Sequence, residues 1–431
     1  MQKTRKIALF VSIFSIFFAT QSVSFAYVTE PQSEGKFSIG KGTMAAEEYE
    51  RNAGTPVYDY GKGIQWGPLH LTPSGSYDFV WTDNIFFQND NTKSDYVNRL
   101  VGEILAELPL GGGQHLLSAS YRATQEWFNR FDAQDHTDQR GSASLDLNFV
   151  PFTLNVEDTY EQTVSRADTE FTDRVKRDEN ALHTLLEVPF ASFFLEHEIT
   201  DFDISYDRPV DAVFDHNLFT TYQRVGYDLG PQTQLLGEYA YINVGYDQQT
   251  FGDRDGEGHQ YLGGIRGKFS ERIVYQAWAG AQHRIYDDSV RPDFNGFVAR
   301  GAVQWDPSEL NHILVKADRA PQESTFDNQS YYTQNRIELS WRRQIAERWF
   351  WRSHGTVAYH EYSRITTTPA PLSQDFTRRD TSWDAGTGLE YLMPNDIFSV
   401  VLDYRFVSRD SNFSALSYEA NEMSLGVKAK F

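Results

Sequence analysis

The sequence predicts an all-β chain: a transmembrane outer-membrane antiparallel up-and-down β-barrel of about 18 strands. Three observations predict it. Apolar and polar residues alternate with period two along many segments. Tight-turn signals recur mostly 37 to 41 residues apart, and aromatic residues gather beside those turns and again near the opposite strand ends.

The alternation is clearest at the C-terminus. Met423, Leu425, Val427, Ala429 and Phe431 share one parity, with Glu422, Ser424, Gly426, Lys428 and Lys430 on the other. Successive strand residues point to opposite faces, so this reads as a half-buried strand ending on an aromatic. Ala143 to Phe149, Tyr261 to Phe269, Phe297 to Trp305 and Phe398 to Phe406 repeat the pattern.

Turn signals stand at Pro109 to Gly113, Val150-Pro151, Pro189 to Ala191, Gly230-Pro231, Ser270 to Arg272, Asp306 to Ser308, Ile345 to Glu347 and Pro394 to Asp396. Longer polar segments lie between them. Each period therefore holds two strands of roughly 12 residues, each roughly 40 Å long at about 3.4 Å per residue. A propeller blade of similar period needs four short strands instead. Eight short turns and nine long loops give 18 strands and place both chain ends of the barrel on the short-turn, periplasmic side. Segments 181–188, 217–228 and 311–318 alternate poorly, and without one hairpin the count falls to 16.

Phe149, Phe152, Phe269, Tyr275, Trp305, Trp341, Trp349, Tyr391, Phe398 and Phe431 sit by the short turns. Trp127, Tyr286, Tyr359, Trp383 and Phe406 sit nearer the loops. Two aromatic belts are what partitioning to both membrane interfaces predicts.

The chain has 431 residues, no cysteine and a net charge of −21. The missing cysteine excludes disulfides, thiolate zinc sites and a cysteine nucleophile. The acidic excess makes nucleic acid a poor partner, because phosphate binding needs clustered Lys and Arg. A mean hydropathy of −0.53 argues against a helical membrane protein only, since barrel strands alternate.

Lys3, Arg5 and Lys6 precede an apolar run from Ile7 to Ala19, and Ser24-Phe25-Ala26 offers small residues for cleavage after Ala26. Residues 1–26 read as a signal peptide. The run is shorter than the roughly 20 residues of a spanning helix. Losing those three bases takes the net charge from −21 to −24. Residues 27–68 read as a periplasmic extension, with a short helix over 44–53 capped by Thr43 and stopped by Gly54. Residues 69–431 read as the barrel, placed in the outer membrane of a Gram-negative cell.

By parity, Arg266, Lys268, Arg300, Arg336, Arg352, Arg405, Glu338, Glu390 and Asp403 point inward and are the pore-lining candidates. Arg99, Arg122, Lys316, Arg342, Lys428, Lys430, Glu103, Asp146, Glu157, Glu187, Glu196 and Glu238 share that face. The bases cluster after residue 260, which predicts a positive wall and a field across the lumen. Phe431 is the candidate assembly signal, presented to the barrel assembly machinery.

No catalytic set stands out: His197 lacks a Ser and acid arranged for nucleophilic attack, and an outer-membrane enzyme is the least favoured reading. Asp253-Arg254-Asp255-Gly256 begins like a calcium loop, but Gly264 holds the twelfth position where Glu is needed, so it reads as an acidic external loop. His354 and His360 share a face but lie too far apart for one metal. Neither metal nor cofactor is expected.

The segments PSGSYDFVWTDNIFF (73–87) and FTRRDTSWDAGTGLEYLMPNDIFSVVLDYRFVSRDSN (376–412), with the strand ending at Phe431, resemble the putative β-barrel porin type 2 family. The Arg-Arg-Asp lead and the Arg-Asp-Ser-Asn loop carry the likeness; the middle of the chain matches by periodicity alone. The resemblance implies an outer-membrane pore associated with exopolysaccharide export. Lipid, lipopolysaccharide, polysaccharide and periplasmic export components are then the expected partners. The alternative is a passive diffusion porin for small hydrophilic solutes.

Overall fold

The computed structural model describes residues 63–164, 174–249, 253–289, 291–325, 329–363 and 377–431. The expected signal peptide, its cleavage site and the helix over 44–53 lie outside the described residues.

A three-residue strand, β1 (Ile64–Trp66), pairs with the start of β2. The barrel strands follow in order: β2 (Leu69–Thr82), β3 (Asp95–Leu110), β4 (His115–Phe128), β5 (His136–Asn148), β6 (Thr153–Thr163) and β7 (Arg177–Phe190). Next come β8 (Phe193–Tyr206), β9 (His216–Gly230), β10 (Thr233–Tyr246), β11 (Gly256–Ser270), β12 (Ile273–Tyr286) and β13 (Phe294–Ser308). The last six are β14 (Asn311–Glu323), β15 (Tyr331–Ala346), β16 (Trp349–Tyr362), β17 (Arg379–Leu392), β18 (Phe398–Ser411) and β19 (Tyr418–Lys430).

Each strand pairs antiparallel with its neighbours in sequence, and β19 pairs with β2 from Glu422↔Thr82 to Lys430↔Ser74. That seam closes an 18-stranded barrel. The three poorly alternating segments are full strands, β7, β9 and β14. The expected short turns and long loops fall between the strands in strict alternation. Closure gives each barrel strand a hydrogen-bonded neighbour on both sides, which lets a sheet stand in hydrocarbon.

Residues opposite one another in register share a face. Leu402 on β18 faces Leu425 on β19, which faces Phe79 on β2. These three are 51, 55 and 44% exposed, so an apolar stripe on the outer surface runs across the seam. The opposite parity carries Asp403, Ser424 and Val80, the inner face.

The outer face also bears exposed Phe149, Phe190, Phe193, Phe269, Trp305 and Phe398 beside the short turns, and Trp127 and Trp383 toward the loops. One belt residue is misplaced by the sequence reading. Tyr286 lies inside, opposite Gly256, while its neighbour Ile285 is the exposed one. On β12 the large residues Trp278 and Tyr286 occupy the inner parity and Ala277, Ala279 and Ala281 the outer, so size does not mark the outer face there.

Among the described residues no helix is long and apolar enough to cross a membrane; the chain crosses with strands. The folded protein is expected in the outer-membrane fraction and should run faster on denaturing gels unheated than boiled. Recovery as a soluble periplasmic protein would contradict this.

Candidate functional site: the barrel lumen

All nine pore-lining candidates lie on the inner parity, but their surroundings differ from a row of free charges. Arg266 reaches from β11 to Glu196 on β8, at 2.8 Å, and to Gln234 at 2.6 Å. Arg300 reaches from β13 to Glu238 on β10, at 2.5 Å. Each bridge crosses three strand intervals, which only side chains inside a closed wall can do.

Arg224 on β9 joins these bridges. Its Nε donates to Glu238 at 2.5 Å, one Nη donates to Glu198, and Glu196 lies at 3.6 Å. Glu198 also accepts from His183 Nε2 on β7, at 3.0 Å. Three guanidiniums and three carboxylates thus interlock across β8 to β13, all but Arg300 nearly covered.

Aromatic rings hold the guanidiniums in place. The Arg266 guanidinium lies over Phe194 at 4.6 Å, and Arg300 over Trp278 at 5.1 Å. The rings lie flat because glycines stand beside them. A Cβ on Gly226 would fall 1.8 Å from the Phe194 ring, and one on Gly264 would fall 2.5 Å from Trp278. Glycine, ring and guanidinium therefore form a layered ledge on one wall, with cation–π attraction between the upper layers.

A second network lies on β14 to β19. Arg336 contacts Asp318 at 3.0 Å and Glu338 at 3.3 Å. Arg352 meets Glu390 at 4.0 Å and Asp403 at 3.4 Å, so the structure gathers three candidates there. Arg405 engages Asp384 at 2.6 Å and Glu422 at 3.3 Å. Lys268 sits half-buried one inward position beyond Arg266, toward the short-turn end. The bases after residue 260 do share one side of the barrel, but Arg266, Arg300, Arg336, Arg352 and Arg405 each have a carboxylate partner. At these five arginines the positive wall expected from sequence is matched by acids, some from adjacent strands and some from strands three away.

The opposite wall has a different character. On β4 to β6 the inner face carries Ser118, Ser120, Ser142, Ser144, Thr153, Asn155 and Thr159. Most of these small polar groups are partly exposed. On β5 to β7 the inward charges are Asp138, Asp146, Glu157, Glu161, Glu179 and Glu187 against Arg140 and Arg177. Glu161 stands directly across from Glu179, and Glu187 directly across from Glu196.

At the loop end, arginines arrive from connections rather than strands. Arg254 donates to the carbonyls of Ser324 and Gln329 and stacks on Tyr246 at 4.3 Å. Arg378 pairs with Asp380 and stacks on Tyr362 at 4.4 Å. Arg174 lies 3.6 Å from Glu126 and over Phe128 at 5.1 Å. Parity reasoning could not find these three, since they lie outside the strands. It also missed Arg224, Glu198 and His183, on β7 to β9.

His354 pairs with Asp384 at 3.3 Å, and His360 is buried beside Gln334. Among the described residues no three His, Asp or Glu side chains converge as a metal site would. Phe431 closes the last strand: its N–H donates to the Pro73 carbonyl at 3.0 Å, and its ring meets Phe398 edge-on at 6.4 Å.

A comparison with curated proteins finds no match. Among solved structures, the chain resembles OpdL of Pseudomonas aeruginosa at 10% identity, covering 85% of this chain and 99% of that one, with a TM-score of 0.43. OccAB3 of Acinetobacter baumannii is similar at 10% identity over 85% of this chain and 100% of that one, with a TM-score of 0.44. The alcaligin receptor FauA of Bordetella pertussis follows at 10% identity over 86 and 77%, with a TM-score of 0.38. The family described as Putative beta-barrel porin 2 matches residues 55–431. The match takes in every strand of the closed barrel and the polar, charge-zipped lumen, and the chain belongs to that family of outer-membrane β-barrel channels.

Proposed function

We propose that this outer-membrane channel exports a hydrated exopolysaccharide chain. The observation that supports the reading is the stripe of small hydroxyl and amide groups on β4 to β6. Ser120 and Ser142 lie 2.6 Å apart in it, and Asn155 donates to Asp146 at 2.8 Å. Short side chains offer closely spaced donors and acceptors without blocking the path. A sugar chain sliding past them exchanges one hydrogen bond for another at little net change in free energy. The ledge across the lumen, with its charges internally matched, gives a gliding chain no unpaired base to stick to. The resemblance of segments 73–87 and 376–412 points the same way, although analogy between families is a weaker warrant than the stripe itself.

A strain lacking the protein is expected to lose surface or secreted polysaccharide, with small-solute uptake near normal, and a plasmid copy should restore it. Unchanged polysaccharide together with slowed uptake of a small hydrophilic solute would favour the diffusion porin. The signal peptide over 1–26 belongs to the same reading, because export to the outer membrane requires it; N-terminal sequencing of the mature protein should begin at Tyr27.

A further inference from the structure

We propose that the outer surface between β13 and β14 holds a phosphorylated lipid of the outer leaflet, with Arg319 as the group that binds its phosphate. This rests on the chain being an outer-membrane barrel and not on the export reading; it stands whatever passes through the lumen.

The wall is split there. The β13–β14 ladder runs from Ser308↔Asn311 to Ala299↔Arg319 and then stops. Both strands continue: β13 stays paired with β12 as far as Phe294↔Arg284, and β14 with β15 as far as Glu323↔Tyr331. The short-turn pairs on either side keep their rungs to the loop end, at Gly256↔Tyr286 and Tyr332↔Tyr362. The cause lies in the sequence. Two steps on, the register would set Phe297 against Pro321, which has no N–H to give. The Phe297 carbonyl accepts instead from Arg319 Nε at 3.2 Å. Among the described residues no rung resumes beyond the proline, so two strand edges lie side by side as a polar notch in the wall.

Arg319 shares its parity with Val315 and Ala317, on the outer face. It lies in one cross-strand row with Asn335 and Tyr359, and Tyr359 belongs to the aromatic belt toward the loops. Such belts sit at the level of the lipid headgroups. One Nη of Arg319 donates to the Asn335 side chain, whose Nδ2 donates to the Tyr359 carbonyl at 3.5 Å. The two acceptors that fix the guanidinium, Phe297 and Asn335, are neutral, and no carboxylate pairs with it among the described residues. A guanidinium has five N–H groups, so it keeps donors to spare as well as its full charge. A phosphate accepts both at once through paired bonds. Toward the short turns the outward positions are small: Ala317 on β14, Ala299 and Gly301 on β13, and Ala279 on β12. Exposed Phe297 and Ile337 border them. A charge above a shallow apolar trough matches the two halves of an amphiphile. A second copy of the chain fits less well, since a two-fold contact centred here would set Arg319 against Arg319.

The test uses the purified barrel in detergent, with bisphosphorylated lipid A as the probe and native mass spectrometry as the readout. The parent is expected to retain the lipid. The same lipid stripped of both phosphates should bind roughly tenfold more weakly, the change that losing a charge-assisted pair produces. Arg319→Gln should lose the preference for the phosphorylated form, and Arg319→Lys should keep part of it. Pro321→Val supplies the missing N–H and lets the two strands zip together with Arg319 in place. It should stay heat-modifiable yet retain less lipid. Arg379→Gln removes an exposed outward base at the loop end of β17 that is already paired with Glu361, and it should change nothing. Equal binding of both lipids by the parent, parental preference in Arg319→Gln, parental retention in Pro321→Val, an equal loss in Arg379→Gln, or displacement of lipid A by inorganic phosphate alone would each overturn the proposal. None of these bears on polysaccharide secretion, which the deletion strain tests separately.

Discussion

Leu425→Asp is expected to abolish the folded barrel in the outer membrane, and removal of Phe431 is expected to do the same by a different route. Leu425 lies in the middle of β19 and is 55% exposed on the outer surface. It faces Leu402 on one side and Phe79 across the closing seam on the other. A carboxylate there enters hydrocarbon. Charges on the lipid face cost up to about 4 kcal/mol near the midplane, with acids below Lys and Arg. The position makes that cost harder to absorb. The β19–β2 seam joins strands at opposite ends of the sequence, so its contacts carry the largest loop-closure entropy in the barrel. Phe431 works at the end of the same seam, through its N–H bond to Pro73 and its edge contact with Phe398. Its loss should lower insertion while leaving the lumen chemistry untouched. The measurement is the amount of heat-modifiable protein in the outer-membrane fraction. Parental amounts of Leu425→Asp would mean that this face does not meet lipid.

The seam also illustrates how much of the fold is readable from residues alone. β19 alternates without a break from Met423 to Phe431, so its outer face follows from period two. The strand count follows from punctuation: Pro, Gly and short polar turns fall at one end of every hairpin. β9 is harder. Its inner face carries Leu218 and Tyr222 while Thr221 and Gln223 face outward, so neither parity is cleanly apolar. Arg224 therefore gave no signal, although it is the junction of the lumen network. The partners of Arg266 and Arg300 were hidden for another reason. Both were assigned to the inner face, but which acid each meets depends on the stagger of strands three apart. Stagger is a property of barrel closure, with strand number, tilt and register linked, and no local pattern encodes it. That is why the sequence suggested a positive wall where the fold builds a matched one. Glu187 and Glu157 were assigned inward as well, but their like-charged and imidazole neighbours emerge only from the β6 to β8 register.

Arg224→Gln should be the most destabilising substitution inside the lumen. The side chain is 6% exposed and lies within the reach of Glu196, Glu198 and Glu238. Removing it leaves three carboxylates facing one another, of which Glu196 retains Arg266 and Glu238 retains Arg300. Among the described residues Glu198 then keeps His183 alone as an ion-pair partner. Taking one partner from a buried ion pair typically costs about 3–5 kcal/mol, because the remaining charge stays desolvated. Arg224→Lys is expected to recover only part of this. An ammonium is a point charge, whereas the guanidinium fork serves Glu238 through Nε and Glu198 through Nη1 at the same time. Adding Glu198→Gln to Arg224→Gln should restore much of the loss, since the acid left with the weakest compensation is then neutral, and the two changes should be strongly non-additive. Thermal loss of the heat-modifiable form in detergent measures all three variants. If Arg224→Gln melts with the parent, the ledge is not held by its charges. Stability would then rest on the flat packing of Phe194 and Trp278 against Gly226 and Gly264, and Gly264→Val would become the variant that collapses the wall.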